Sequence, residues 1–280
     1  MQNRALENTV YVLAAGAFGV FLRWLQLQLA FDDRGLCGPS VFNVIVPLFL
    51  IVVAVVLRRR IGKMLDGSFT IPEGFHESLA NPGKFYTFLR WAAGAVVILG
   101  GVLMIRGSEV EKRVIMLRIL GGLAILAGLC YPLFMTLANK ELTPRRRVPL
   151  CLLALTPILL FAVWLVYCYV CNAINSVAWA YLIEVLTVST LMLAFFRLAG
   201  FVYDQIQMKK TLFWIQYGVF MSLVALADSR IIGMQAVFFG SGFVLALTDF
   251  ILLRKLRVKT EEEFAAEEKP LKYDGGLEKL

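Results

Sequence analysis

Two ionisable side chains, Arg23 and Glu184, stand inside long apolar stretches of the sequence. A charged residue at the centre of a bilayer costs about 2.5 to 3.5 kcal/mol on insertion scales, so it faces a partner, a water-filled cavity or the interior of a helix bundle. Counted from the ends of their stretches, both residues lie roughly 11 to 12 Å below the same surface. Equal depth and opposite sign predict that they pair.

Helical phase adds neighbours to each. Gly16, Gly19, Arg23 and Gln26 fall within one sector of about 80°, so two small residues allow close helix approach on the face that carries the polar groups. Tyr181, Glu184 and Thr187 share a face in the same way. Arg23, Gln26, Tyr181, Glu184 and Thr187 therefore make up a candidate intramembrane polar site. One reading is an outward-open cavity for a small charged or zwitterionic solute, with Arg23 contacting an anionic group and Glu184 a cation or proton. The other is mutual neutralisation that fixes helix packing. Residue types alone leave both open.

Other polar residues read more plainly. Arg118 and Asp249 each lie about one turn from a stretch end, where interfacial anchoring suffices. His76, the single histidine, has no second histidine or cysteine nearby and reads as a solvated loop residue. Of the five cysteines, Cys37, Cys130, Cys151, Cys168 and Cys171, most sit in apolar stretches without zinc spacing. Cys168 and Cys171 share one helical face near the outer end of their block, and Cys37 in the outer loop could reach either one, which leaves a disulfide open.

No Gly-x-Ser-x-Gly elbow, His-Glu-x-x-His, P-loop or Asp-rich diphosphate run occurs, and Tyr203-Asp204 lacks the second aspartate motif of an intramembrane protease. We expect no enzymatic activity and assign no catalytic residue, metal ligand or cofactor. The tetrapeptide Phe-Leu-Arg-Trp occurs at 21–24 and 88–91, at opposite ends of its two stretches, and reads as coincidence rather than an inverted repeat.

The elements that must position these groups follow from composition. The 280 residues are 59% hydrophobic and 17% charged, with a mean hydropathy of +0.74. A soluble domain is about 45–50% apolar and about 25% charged. The apolar residues come in blocks long enough to cross a core of about 30 Å. Eight blocks qualify, at 9–30, 41–57, 85–105, 114–138, 148–171, 176–196, 211–227 and 231–253. Only helices satisfy their own backbone in lipid, so the expected fold is all-α, a polytopic transmembrane bundle of eight spans. The block from 211 to 253 would be about 65 Å long as one helix, so it must fold into a hairpin at Asp228-Ser229-Arg230.

The net charge is +8, carried by basic residues at block ends. With the amino terminus inside, 21 of the 28 lysines and arginines fall on one face and five on the other. That asymmetry places both termini in the cytoplasm. It also makes anionic headgroups the partner of the basic ends, beside the bilayer itself and a small solute, and nucleic acid is not expected. The start of the chain, with Arg4 before it and Arg23 within it, reads as a first span rather than a cleaved signal.

Two regions complete the organisation: residues 1–253 as the transmembrane domain, and residues 254–280 as a charged cytoplasmic tail, basic then acidic, of disordered composition. In the loop from 58 to 84, Thr70-Ile71-Pro72-Glu73 has the form of a capping box and predicts a short surface helix over 72–79. The expected function is small-solute binding or transport. The alternative is a structural or assembly subunit recruiting partners through its cytoplasmic loops and tail. Short loops suggest a bacterial cytoplasmic membrane.

Overall fold

The structure, a computed structural model, describes residues 2–31, 38, 40–65, 69–70, 75–80, 83–108, 114–138, 144–172, 181–203, 205–228 and 230–258. Nine helices occupy them: α1 (Gln2–Ala30), α2 (Phe42–Met64), α3 (Phe75–Leu79), α4 (Lys84–Gly107), α5 (Val114–Leu137), α6 (Pro144–Asn172), α7 (Leu182–Ala199), α8 (Met208–Val224) and α9 (Ile232–Lys255). Each apolar block holds one of the long helices. Short 3-10 turns extend α7 to Tyr203 and α8 to Ala227. The only sheet among the described residues pairs β1 (Phe69–Thr70) with β2 (Arg257–Val258), antiparallel, tying the loop after α2 to the chain leaving α9.

Seven helices, α1 and α4 to α9, are long and apolar enough to cross a membrane, the make-up of a multi-pass membrane protein. Their large apolar side chains also point outward. Leu6, Val10, Leu13, Phe18, Phe21 and Trp24 line the outer face of α1, each between 42% and 57% exposed. In water such a surface would forfeit about 25 cal/mol for every Å² left exposed, whereas lipid accepts it. α2 has 16 uncharged residues, Phe42 to Leu57, about 24 Å of helix, before Arg58, Arg59 and Arg60.

Helices adjacent in sequence pack side by side from α4 through α8, and α9 fills the centre against α4 and α8. The most apolar window of α9 is 67% buried, that of α1 only 33%. A helix apolar on every side has no solvent face to offer, so the centre is where it belongs. α1 closes the bundle against α8, with α2 outside it.

Glycines set the closest approaches. A Cβ on Gly94 would lie 2.5 Å from the Gly128 carbonyl, and one on Gly101 would lie 2.6 Å from the Gly121 carbonyl. The spacing is seven residues on both helices, so α4 and α5 touch backbone to backbone at two levels two turns apart. Gly233 of α9 does the same against the backbone of Gly100 and Met104. Gly122 of α5, by contrast, has open space where its Cβ would be.

Of the short loop helix expected over 72–79, the described part is α3, Phe75–Leu79, with residues 71–74 outside those described. His76 is exposed, yet its Nδ1 lies 2.7 Å from the Ala138 carbonyl, which docks α3 on the end of α5. Arg90, which falls among the cytoplasmic basic residues by its place in the sequence, is instead 2% exposed within α4. Its guanidinium donates to the carbonyls of Leu79 and Met135, each at 3.4 Å, at the C-terminal ends of α3 and α5. A cation is favoured where helix carbonyls have no intrahelical partner. Of the tail from 254 onward, only residues 254–258 are described.

Candidate functional site

The α8–α9 turn brings the charges of the site together. α8 ends in a 3-10 turn at Ala227, and Asp228 adopts an extended conformation there. The Arg230 amide donates to the Asp228 carbonyl at 2.8 Å, and Gln235 Nε2 donates to the same oxygen at 2.8 Å. The turn is thereby folded back onto the bundle end, with the Asp228 and Arg230 side chains meeting charges of the bundle.

Arg23 is fully buried on α1. Gly16 and Gly19 on the same face press against Leu223 and Val224 of α8, which brings Arg23 beneath the turn. Arg23 Nε donates to Asp228 Oδ1 at 2.7 Å. Arg23 Nη1 donates to Gln26 Oε1 at 2.7 Å, and Gln26 Nε2 donates onward to Asn43 Oδ1 at 3.1 Å. Asn43 Nδ2 completes the chain at the Gly38 carbonyl, 2.9 Å away. A charge-assisted bond thus leads into a run of amide bonds linking α9's turn, α1 and the start of α2.

Glu184 is 1% exposed and lies in the first turn of α7, where a helix N-terminus favours negative charge. Its Oε2 pairs with Arg230 Nη2 at 3.0 Å, and its Oε1 accepts from the Trp164 indole at 2.9 Å. Trp164 is itself fully buried and stacks on Phe238 of α9, with ring centroids 4.7 Å apart. Oε1 is therefore held from α6 and Oε2 from the α8–α9 turn.

No hydrogen bond or ion pair joins Arg23 to Glu184, which corrects the pairing expected from depth and sign. The physical reason is where α7 begins. Its apolar block starts at Ser176, but the helix starts at Leu182, so Glu184 sits in the first turn rather than two turns down. From there it meets Arg230, while Arg23 meets Asp228. Residues 228 and 230 belong to one turn, so the two pairs share a layer and a hinge.

The remaining site residues divide accordingly. Gln26 belongs to the Arg23 half. Thr187, fully buried one turn below Glu184, donates to the carbonyls of Ile183 at 2.7 Å and Met221 at 3.2 Å, which locks α7 to α8. Tyr181 is half-buried at the entry to α7 and takes no part in either ion pair. The thiol of Cys168 lies against the Glu184 carboxylate, and Cys130, Cys151 and Cys168 carry free thiols. Cys37 lies outside the described residues.

Both copies of Phe-Leu-Arg-Trp present the arginine inward and the aromatic residues outward. Arg23 and Arg90 are buried, whereas Phe21, Trp24, Phe88 and Trp91 are 42% to 67% exposed. Helical phase places residues three apart on one side and the arginine opposite, so the likeness is of amphipathic pattern, without symmetry of the fold.

Among the described residues no group of three or more histidine, cysteine, aspartate or glutamate side chains is placed to hold a metal ion. Two cavities lined by described residues lie near the α2 and α7 ends that carry Arg58 and Arg197, and neither touches Arg23 or Glu184. Compared with known proteins, the chain matches no protein-family model, no curated protein sequence and no solved structure.

Proposed function

We propose that the chain crosses a bacterial cytoplasmic membrane eight times, with both termini in the cytoplasm, and binds and moves a small zwitterionic solute at the layer of Arg23 and Glu184. The observation that carries the reading is the α8–α9 turn. It presents a carboxylate, Asp228, to Arg23 and a guanidinium, Arg230, to Glu184. One short segment thus offers the charges of a zwitterion to a cationic and an anionic receptor. A free solute carrying a carboxylate and an amine matches the same two receptors, and its binding displaces the turn. The turn is then both occupant and outer gate, and displacement opens the layer.

Support for the eighth span is that α2 continues the uncharged run from Gly38 and ends at Arg58, Arg59, Arg60 and Lys63, basic residues that belong on the cytoplasmic face. Its side chains Val44, Leu48 and Ile51 are 57% to 66% exposed, as lipid-facing residues are. At the same face a cavity of about 410 Å³ is lined by Arg58, Lys209, Lys210, Phe213 and Trp214, a fit for anionic headgroups.

A subunit role within a membrane complex is the second reading. The feature that favours it is that each ion pair is already satisfied within the bundle and no described cavity reaches either.

Trp164 reports on the site directly, because its indole bonds to Glu184. Titrating the purified protein with amino acids and betaine is expected to change tryptophan fluorescence saturably for at least one of them. Trp164→Phe removes the response. Glu184→Gln keeps an acceptor for the indole but abolishes the solute effect, as does Arg23→Gln. A wild-type protein that responds to no zwitterion, or charge-neutral variants that respond as wild type does, would overturn the transport reading in favour of the subunit.

A further inference from the structure

A second polar cluster lies at the opposite end of the bundle and takes no part in the layer described above. Asp249 of α9 is 2% exposed, Gln216 of α8 is 1% and Asn8 of α1 is 0%. Gln216 Nε2 donates to Asp249 Oδ1 at 3.0 Å. The Asn8 amide reaches the same carboxylate from α1, without a well-formed hydrogen bond. Neither polar atom of Asn8 has a partner, and Gln216 Oε1 has none. Three helices therefore converge on a carboxylate with two side-chain carbonyls left over.

Among the described residues no basic side chain pairs with Asp249. Arg90 of α4 is committed to the carbonyls of Leu79 and Met135. Arg254, one turn further along α9, donates to Tyr86 of α4 at 3.0 Å. Tyr131 of α5 bonds to Thr248, beside Asp249, at 2.5 Å. Lys255 is the last residue of α9 and Glu7 on α1 is exposed. An ionised carboxylate at this burial, without a counter-charge, is strongly disfavoured, and so are two buried amide oxygens without donors. A sodium ion placed among them removes all three penalties, and a proton on Asp249 removes the charge and supplies a donor to one of the two amide oxygens.

We propose that Asp249, Asn8 and Gln216 form a binding site for one small monovalent cation, either a sodium ion or a proton. A carboxylate and amide carbonyls are the oxygen donors that a hard cation prefers. Bound sodium takes the Asn8 and Gln216 carbonyls together with the carboxylate. A proton converts Asp249 to a carboxylic acid that donates to Asn8 Oδ1. The site supplies the driving ion that solute movement requires, and only that role rests on the transport reading.

The test is thermal unfolding of the purified full chain in detergent, with sodium chloride against choline chloride, from mildly acidic to mildly alkaline buffer. Wild type is expected to gain several degrees in Tm with sodium if the ion is sodium. It gains them with falling pH, irrespective of sodium, if the ion is a proton. Asp249→Asn, which carries the neutral isostere, shows neither dependence and unfolds near the temperature of the occupied wild type. Asn8→Ala keeps the carboxylate and requires at least tenfold more sodium, or a lower pH, for the same shift. A wild-type Tm as insensitive to sodium and pH as that of Asp249→Asn overturns the site. No solute is present, so this outcome is separate from failure of the fluorescence titration.

Discussion

Arg23 is tolerated in the bundle because Asp228 and Gln26 meet it with two bonds of 2.7 Å. Removing one partner of a buried pair leaves an uncompensated charge, which costs about 3 to 5 kcal/mol. Asp228→Ala is expected to destabilise by that amount. The double variant Arg23→Met with Asp228→Leu should recover most of it, as chemical or thermal unfolding in detergent would measure. Arg230 is different, since its side chain is 25% exposed and its removal opens the buried Glu184 carboxylate to water, so Arg230→Ala should cost less, about 1 to 2 kcal/mol. Comparable losses for Asp228→Ala and Arg230→Ala would show that burial does not separate the two pairs. The sequence marks Arg23 and Glu184 as interior because charge inside an apolar stretch needs a reason. Their partners are hidden, since Asp228 and Arg230 have the composition of any polar hairpin turn. Only tertiary folding tells that such a turn bends back over the bundle. Asp249 is obscured for the opposite reason: its distance from the end of α9 suits an interfacial residue, and its burial comes from α1 and α8 packed over it.

Helix positions were readable from residue blocks because lipid length and backbone satisfaction leave few alternatives. The start of α7 was not, because Tyr181 lies within the apolar block yet takes a non-helical conformation just before the helix. The glycines foretold close packing, but not which pairs meet. That follows from α4 and α5 running antiparallel, so that Gly94 faces Gly128 and Gly101 faces Gly121. Gly128→Ala would place a methyl 2.8 Å from the Gly94 carbonyl and against Ile98, and neither backbone can yield cheaply. A loss of about 1 to 3 kcal/mol is expected from such overpacking. Gly122→Ala on the same helix meets nothing within 4 Å and should leave stability within about 0.5 kcal/mol or raise it, by better helix propensity. Equal effects of the two changes in thermal unfolding would contradict the packing described.

At the scale of the molecule, solute movement through the bundle requires that the apolar faces meet lipid and the basic ends meet the cytoplasm. Seven helices satisfy the length and composition of a span, and the proposed eighth, α2, decides which face everything after it occupies. If α2 crosses, the α8–α9 turn with Asp228 and Arg230 lies outside and the Asp249 cluster lies toward the cytoplasm. If α2 lies on the surface, the two ends of the chain part company. Topology mapping in bacterial cells tests this most directly, with a fluorescent protein fused in turn to each terminus and a phosphatase inserted into the loop at 58–84 or the turn at 228–230. The account predicts fluorescence at both termini, no phosphatase activity in the 58–84 loop and activity at the α8–α9 turn. Termini on opposite sides of the membrane, or an active phosphatase between α2 and α4, would contradict it.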